Sequence, residues 1–145
     1  EHLIVAMDRC KADLKAARSS QQVTGAYQRL ALTLAIFLAD HPDVIRLYLQ
    51  ENRGPGSGDR RPVKALSSEV GRLAIELTEL AIEGGLIRDV TPAVSALAVV
   101  GAAERLILAL MAEDLTTDPI TAANGLVSMV IDGLGVNLDD RPEQS

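Results

Sequence analysis

The sequence predicts an all-α protein, a helical bundle of six main helices. Apolar residues recur three or four positions apart in six segments, which is the spacing of one face of a helix. No run alternates apolar and polar residues over the length of a strand. Glycine, proline and short polar residues stand between the segments, where they end helices or cap their starts.

The first three segments follow one another closely. The first, Leu3 to Arg18, has an apolar stripe of Leu3, Met7, Cys10 and Leu14. The second, from about Gln21 to Asp40, has a stripe of Val23, Tyr27, Leu30, Leu34 and Phe37, and Ser19 and Ser20 are suited to cap its start. Pro42 opens a short third helix, in which we expect the core-facing residues to be Val44, Leu47 and Tyr48.

The second half begins after a predicted mobile loop. Residues 53–62 (RGPGSGDRRP) contain three glycines and two prolines, which neither a helix nor a strand tolerates. The fourth helix follows with Val63, Leu66, Val70, Leu73, Leu77 and Leu80 in helical register, and Gly84 and Gly85 end it. Thr91-Pro92 and Asp118-Pro119 each place a capping side chain before a first-turn proline, so they start the fifth and sixth helices.

The composition argues against catalysis, metal binding and direct DNA binding. Fourteen basic against twenty acidic side chains give a net charge of −6, which repels phosphate backbones. Cys10 is the only cysteine, so no internal disulfide or cysteine-based zinc site is possible. Neither His2 nor His41 follows a glutamate by three positions, as carboxylate-bridged metal bundles require. We therefore expect no catalytic residues, no metal and no cofactor, in a soluble cytoplasmic protein without a membrane span.

The fifth and sixth helices are apolar on almost every side. A helix of that kind must be covered all round, and four other helices are too few to do so in a domain of this size. We predict a homodimer through these helices; the alternative is that they form the centre of a monomeric bundle. The interface candidates are Ala93, Leu97, Val100, Glu104, Leu108, Ala122, Leu126, Val127, Val130 and Ile131.

Glu104 and Arg105 interrupt the fifth helix with the charges that argue against a membrane span. They lie about 100° apart around the axis, so they cannot face the same neighbour. Two interpretations stay open. The pair forms a polar wall of a ligand cavity, or a salt bridge at a helix or subunit interface.

Several motifs in order resemble the C-terminal domain of TetR/AcrR-type transcriptional regulators. Residues 37–47 (FLADHPDVIRL) are similar to that family's junction between a long helix and a short amphipathic one. Residues 81–92 (AIEGGLIRDVTP) resemble its link into the first dimerisation helix, with Thr91 where aspartate is commoner. Residues 100–102 (VGA) and 131–134 (IDGL) also match, so the resemblance covers roughly residues 20–135.

The resemblance implies an effector-sensing and dimerisation domain, over residues 1–136, with a polar tail over 137–145. Residues 1–18 resemble the linking helix that follows a DNA-binding helix-turn-helix, so we expect DNA to be contacted only through a segment that this chain lacks. The expected ligand is a small apolar molecule, because aromatic stacking partners are few. Its expected contacts are Met7, Tyr27, Leu30, Leu34, Phe37, Tyr48, Leu73, Leu77, Gly101 and Arg105. The alternative is a helical dimerisation module without a ligand pocket.

Overall fold

The chain folds into six α-helices in a computed structural model that describes residues 2–53 and 61–139, with the side chains of residues 2–48, 50 and 68–139. The helices are α1 (His2–Ala16), α2 (Ser20–Asp40), α3 (Pro42–Arg53), α4 (Arg61–Glu83), α5 (Pro92–Met111) and α6 (Pro119–Leu134). No strand occurs in these two described stretches, where the only β pairing is an isolated bridge between Ile87 and Gly135. The predicted all-α fold of six helices is confirmed, while residues 54–60 of the predicted loop lie outside the described residues.

Four of the five predicted helix boundaries use the expected chemistry, and one of them is Pro42, which begins α3. The Ser19 side chain accepts a hydrogen bond from the Gln22 amide, and Asp118 accepts one from the Thr121 amide at 2.9 Å. Gly85 adopts a φ of 63°, which glycine tolerates without strain and which lets α4 end in a left-handed turn. α5 begins at Thr91-Pro92 as predicted, with Thr91 as its N-cap residue, but the Thr91 side chain makes no capping hydrogen bond.

Five helices pack in a closed ring. α1 contacts α2 and α4, α2 contacts α6, α6 contacts α5, and α5 returns to α4, while α3 packs mainly on α4. Within this ring the largest cluster of buried residues comes from α1, α2, α4 and the start of the α4–α5 link: Met7, Cys10, Leu14, Ala17, Val23, Ala26, Leu73, Leu77, Ala81, Leu86 and Ile87. The stripe predicted for α1 therefore faces the core, as do Leu73, Leu77 and Leu80 of the stripe predicted for α4.

The core side of α3 differs from the prediction. Val44 and Leu47 are 49% and 50% exposed, whereas Ile45 is buried and Tyr48 is half-buried. Ile45 and Tyr48 are three positions apart and lie on one face, about 100° from the face that Val44 begins. A short helix that packs mainly on one neighbour buries only one narrow stripe of side chains. The spacing of apolar residues in the sequence does not determine which stripe that is.

Hydrogen bonds at the end of α6 and in the segment after it connect this helix to the rest of the bundle. The Arg88 amide donates to the Leu134 carbonyl at 2.8 Å, which places the end of α6 beside the start of α5. The Leu138 amide donates to the Ser20 hydroxyl at 2.9 Å, so the end of α6 also lies beside the start of α2. α6 therefore runs antiparallel to both α5 and α2. Leu138, assigned to the polar tail by the sequence, packs against the core cluster.

Candidate functional site

The outer surface of the α5–α6 hairpin exposes apolar side chains of both helices to solvent. On α5 the exposed residues are Ala93, Val94, Leu97, Ala98, Gly101 and Arg105. On α6 they are Ile120, Thr121, Asn124, Gly125, Ser128, Met129, Asp132 and Gly133. In each helix these residues recur three or four positions apart, so they form one outward face. We call this surface the hairpin face.

The hairpin face leaves large apolar side chains in solvent. Val94 is 69% exposed and Met129 is 63% exposed. α5 has a mean hydropathy of 1.9, yet only 6% of its most apolar window is buried in the protomer. Among the described helices it is the one long and apolar enough to cross a membrane. Clusters of exposed apolar residues of this kind mark surfaces that another molecule covers.

Glycines on the hairpin face are not required by the protomer's own packing. A Cβ atom added to Gly101, Gly125 or Gly133 meets no heavy atom within 4 Å, and none of the three has a positive φ. Glycine inside a helix costs about 1 kcal/mol relative to alanine. By contrast, a Cβ at Gly135, just after α6, would lie 2.5 Å from the Ile131 carbonyl oxygen. Because Gly101 and Gly125 lack side chains, another backbone can approach the hairpin face closely at these positions.

The two neighbouring charges of α5 have different surroundings. The Tyr48 hydroxyl on α3 donates to the half-buried Glu104 carboxylate at 3.0 Å, so Glu104 is turned towards the bundle. Arg105 is exposed on the hairpin face and makes no hydrogen bond or ion pair with a described residue. The predicted divergence of the two side chains agrees with this arrangement. Within the described protomer, Glu104 and Arg105 do not share a partner.

Most of the predicted interface residues lie outside the hairpin face, on the sides of α5 and α6 that their own bundle covers at least partly. Ala93 and Leu97 belong to the hairpin face. Val127 is only 8% exposed and is part of the protomer's interior. The remaining seven are half-buried: Val100, Glu104, Leu108, Ala122, Leu126, Val130 and Ile131. Val94, Gly125 and Met129 were not among the predicted residues. The polar residues of α6, namely Thr121, Asn124, Ser128 and Asp132, are all exposed, so they were the signal in the sequence for the outer side of that helix.

The ten predicted ligand contacts fall into three groups. Five lie in the core cluster or against it: Met7, Tyr27, Leu30, Leu73 and Leu77. Leu34, Phe37 and Tyr48 are half-buried elsewhere, with the Phe37 ring stacked on His41 at a centroid distance of 4.5 Å. Gly101 and Arg105 are exposed on the hairpin face, so they do not point into the bundle with the other eight. Both residues lie on the outward side of α5, which also includes Val94 and Leu97.

An open groove lies at the surface between α1 and α2. It encloses about 440 Å³ and is lined by Asp13, Ala16, Ala17, Gln21, Gln22, Gly25, Gln28 and Arg29. The Arg29 guanidinium closes part of it by donating to the Asp13 carboxylate at 3.0 and 3.1 Å. None of the predicted ligand contacts lines this groove. Its walls are polar and apolar in similar measure, and it is open to solvent, so it is not the enclosed apolar cavity that the resemblance implies.

Two titratable side chains of the core are buried in the neutral form. Cys10 is 2% exposed, and burial raises the pKa of its thiol to about 12. Burial also raises the pKa of the Tyr27 hydroxyl well above its ordinary value. A thiol in that state is a weak nucleophile and behaves as a small apolar group. The predicted packing role of Cys10 is confirmed.

The side chains described here provide no group of three histidine, cysteine or carboxylate residues placed to hold a metal ion. Comparisons of the chain with protein-family models, with curated proteins and with solved structures found no match. The resemblance to TetR-type regulators therefore remains a hypothesis supported by the sequence motifs, and the hairpin face is the site that the structure itself provides.

Proposed function

We propose that this chain is a homodimerisation domain, and that the hairpin face is covered by the same face of a second copy. The observation that carries the proposal is the exposure of large apolar side chains on α5 and α6, where Val94 is 69%, Leu97 53% and Met129 63% exposed. Burial of apolar surface is the main favourable term in protein association, at roughly 25 cal/mol for each Å². A twofold dimer covers the same patch on both copies in one step.

The polar residues of the hairpin face favour a second copy over a lipid bilayer. Arg105 and Asp132 both belong to this face, together with the amide of Asn124. A charged side chain near the centre of a bilayer costs about 2.5–3.5 kcal/mol on insertion scales. A protein partner can satisfy the same groups with hydrogen bonds and opposite charges.

In the setting that the sequence motifs suggest, this dimer is the effector-sensing half of a TetR-type transcriptional regulator. Sensing of a small apolar ligand is supported by those motifs. DNA binding is expected to belong to a helix-turn-helix outside this chain, because a net charge of −6 opposes contact with phosphates.

The dimer is tested by sedimentation equilibrium of the purified chain from submicromolar to 100 μM concentrations. We expect twice the mass of one chain, with Val94→Arg and Met129→Arg each shifting the equilibrium to monomer. Val5→Arg is the matched control, because Val5 is 63% exposed on α1, outside the hairpin face. A wild-type monomer throughout this range contradicts the proposal. A monomer that floats with phosphatidylcholine vesicles identifies a lipid surface as the occupant instead.

The sensing function has a separate test. Small aliphatic and compact apolar compounds should raise the melting temperature of a sensor in a concentration-dependent manner, because a ligand that binds only the folded state stabilises it. Tyr48→Ala should reduce this shift more than it reduces the melting temperature of the free protein. If no such compound changes the melting temperature while the dimer persists, the chain is a dimerisation module without a ligand pocket.

A further inference from the structure

We infer that the second copy covers not only the hairpin face but also the adjoining outer side of α2, where Leu32 and Ile36 are exposed. The inference rests on the proposed homodimer and extends its interface to a third helix. Leu32 is 41% exposed and Ile36 is 49% exposed. They are four positions apart, so their side chains lie on the same side of α2. Two large aliphatic residues therefore stand together in solvent on a helix that packs against α6.

Leu32 and Ile36 lie beside the first turn of α6. The Ser20 hydroxyl donates to the Val136 carbonyl at 3.3 Å, so the start of α2 lies at the end of α6. Measured from that end, Leu32 and Ile36 are about 18 and 24 Å along α2, at about 1.5 Å per residue. Ile120, which is 46% exposed, is about 21 Å along α6 from the same end. It is therefore level with the space between Leu32 and Ile36 on the neighbouring helix.

Both side chains of α2 point away from the core on the side that adjoins α6. Around the helix axis, Leu32 and Ile36 lie about 120° and 160° from Ser20, which contacts the segment after α6. The buried residues Val23 and Ala26 lie about 60° and 120° from Ser20 in the opposite direction. The outer side of α2 thus continues the outer surface of α6. We call the three exposed residues Leu32, Ile36 and Ile120 the α2–α6 patch.

The apolar surface does not continue on the other side of the hairpin. There α5 packs against α4. Every exposed residue in the described part of α4, residues 68–83, is polar. These residues are Ser68, Arg72, Glu79 and Glu83. Charged side chains lose hydration when an apolar partner covers them, so this flank disfavours such a contact. A second copy that reaches beyond the hairpin face is therefore expected on the α2 side.

The exposed residues of α6 suit the middle position between α5 and α2. Ile120 and Met129 are nine positions apart, so they point about 180° from each other. Ile131 lies about 20° from Ile120 and packs against the core cluster, to which α2 contributes, so Ile120 is on the α2 side and Met129 on the α5 side. The exposed residues Gly125 and Ser128 lie between these two edges. Small side chains in the middle let a second copy approach α6 and reach the larger side chains on both flanks.

A second copy covers the α2–α6 patch and the hairpin face in one contact. The patch is continuous with the hairpin face through Ile120, which belongs to both. A twofold axis through α6 places either α5 or α2 of the second copy over the outer side of α2. In both arrangements the partner presents exposed aliphatic side chains, such as Leu97 or Leu32, to the patch.

Sedimentation equilibrium of the full chain tests the patch with Leu32→Arg and Ile36→Arg. A charge forced into an apolar interface without a partner is strongly destabilising, so each variant should weaken the dimer about tenfold or more. Val5→Arg is the matched control, because Val5 is 63% exposed on α1 and lies outside both surfaces. It should leave the dimer unchanged.

Thiol labelling gives a second measurement without an added charge. The rate constant for reaction of Leu32→Cys with a maleimide should fall as the protein concentration rises through the dimerisation range, whereas that of Val5→Cys should stay constant. Cys10 is 2% exposed and remains protonated, so it reacts slowly in both proteins. If circular dichroism shows that an arginine variant does not fold, the labelling result decides.

A wild-type dimer that Val94→Arg dissociates, but that is neither weakened by the α2 variants nor protected at Leu32→Cys, overturns the inference and leaves the proposed function intact. A wild-type monomer overturns the proposed function as well.

Discussion

Replacing Gly101 by alanine should change the stability of the protomer and that of the dimer in opposite directions. Gly101 lies inside α5, and a Cβ placed there meets no heavy atom within 4 Å. Alanine therefore gains the full difference in helix propensity, about 0.8–1.0 kcal/mol, without a clash inside the protomer. We expect the free energy of unfolding of the isolated protomer to rise by about that amount.

The same methyl group should weaken self-association. If two backbones approach at Gly101, an added methyl group must separate them or displace neighbours, and such overpacking costs about 1–3 kcal/mol. A cost of about 1.4 kcal/mol corresponds to a tenfold weaker dimer. Guanidinium unfolding at low protein concentration measures the first effect, and sedimentation equilibrium measures the second.

Gly71→Ala is the matched control for this experiment. Gly71 is in α4, and a Cβ there would lie 3.7 Å from Leu97 Cδ2, an ordinary van der Waals contact. It should gain helix propensity without a comparable loss of self-association. If Gly101→Ala stabilises the protomer and leaves the dimer unchanged, no second backbone approaches α5 at that position and the reasoning from the glycines is refuted.

Three further changes test other parts of the structure. Leu73→Ala should lower the free energy of unfolding by about 2–5 kcal/mol, because Leu73 is 2% exposed in the core, and equal stability in urea unfolding would contradict its placement. Tyr48→Phe removes the donor to Glu104 and should lower the free energy of unfolding by about 0.5–1.5 kcal/mol in the same assay. An unchanged value would show that this hydrogen bond does not contribute to stability. Because burial raises the pKa of Cys10 to about 12, the folded protein retains this proton where the unfolded chain, with a thiol pKa near 9, has lost it. The stability from the neutral thiol is thus present below about pH 9 and is lost between pH 9 and 12. Cys10→Ala should flatten this part of the profile of unfolding free energy against pH, and identical slopes for the two proteins would refute the assignment.

The sequence predicts the helices well because their boundaries depend on local chemistry. Ser19 and Asp118 cap α2 and α6 through their own side chains, and Gly85 ends α4 through its own φ. The core stripes of α1 and α4 were also predictable, since each of these helices has one clearly apolar side. The prediction failed for α3, where Ile45 is buried in place of Val44, because adjacent apolar positions offer two candidate faces.

The candidate site was harder to predict because it depends on which side of an apolar helix the bundle covers. Val100 and Gly101 are neighbours with similar apolar surroundings in the sequence, yet Val100 is half-buried and Gly101 is exposed. A rotation of about 100° separates them, and the next polar residue on the outer side, Arg105, stands directly beside Glu104, which faces the bundle. The contacts of α5 with α4 and α6 fix the rotation, and those contacts depend on the whole fold.

Glu104 and Arg105 connect the interior of the protomer to the hairpin face within a single turn of α5. Glu104 is held from inside by the Tyr48 hydroxyl of α3, whereas Arg105 is exposed on the hairpin face. A rotation of α5 that breaks the first contact must also move the second side chain, because both belong to one rigid helix. In the proposed dimer, a ligand that competes for Tyr48 would therefore move Arg105 on the face that the second copy covers. For such a route to alter the dimer, the ligand must bind the two positions of α5 with different affinity. The test is to measure the affinity of a small apolar molecule for the Tyr48→Phe and Arg105→Gln proteins. Tyr48→Phe changes the interior of the bundle, whereas Arg105→Gln changes only the hairpin face.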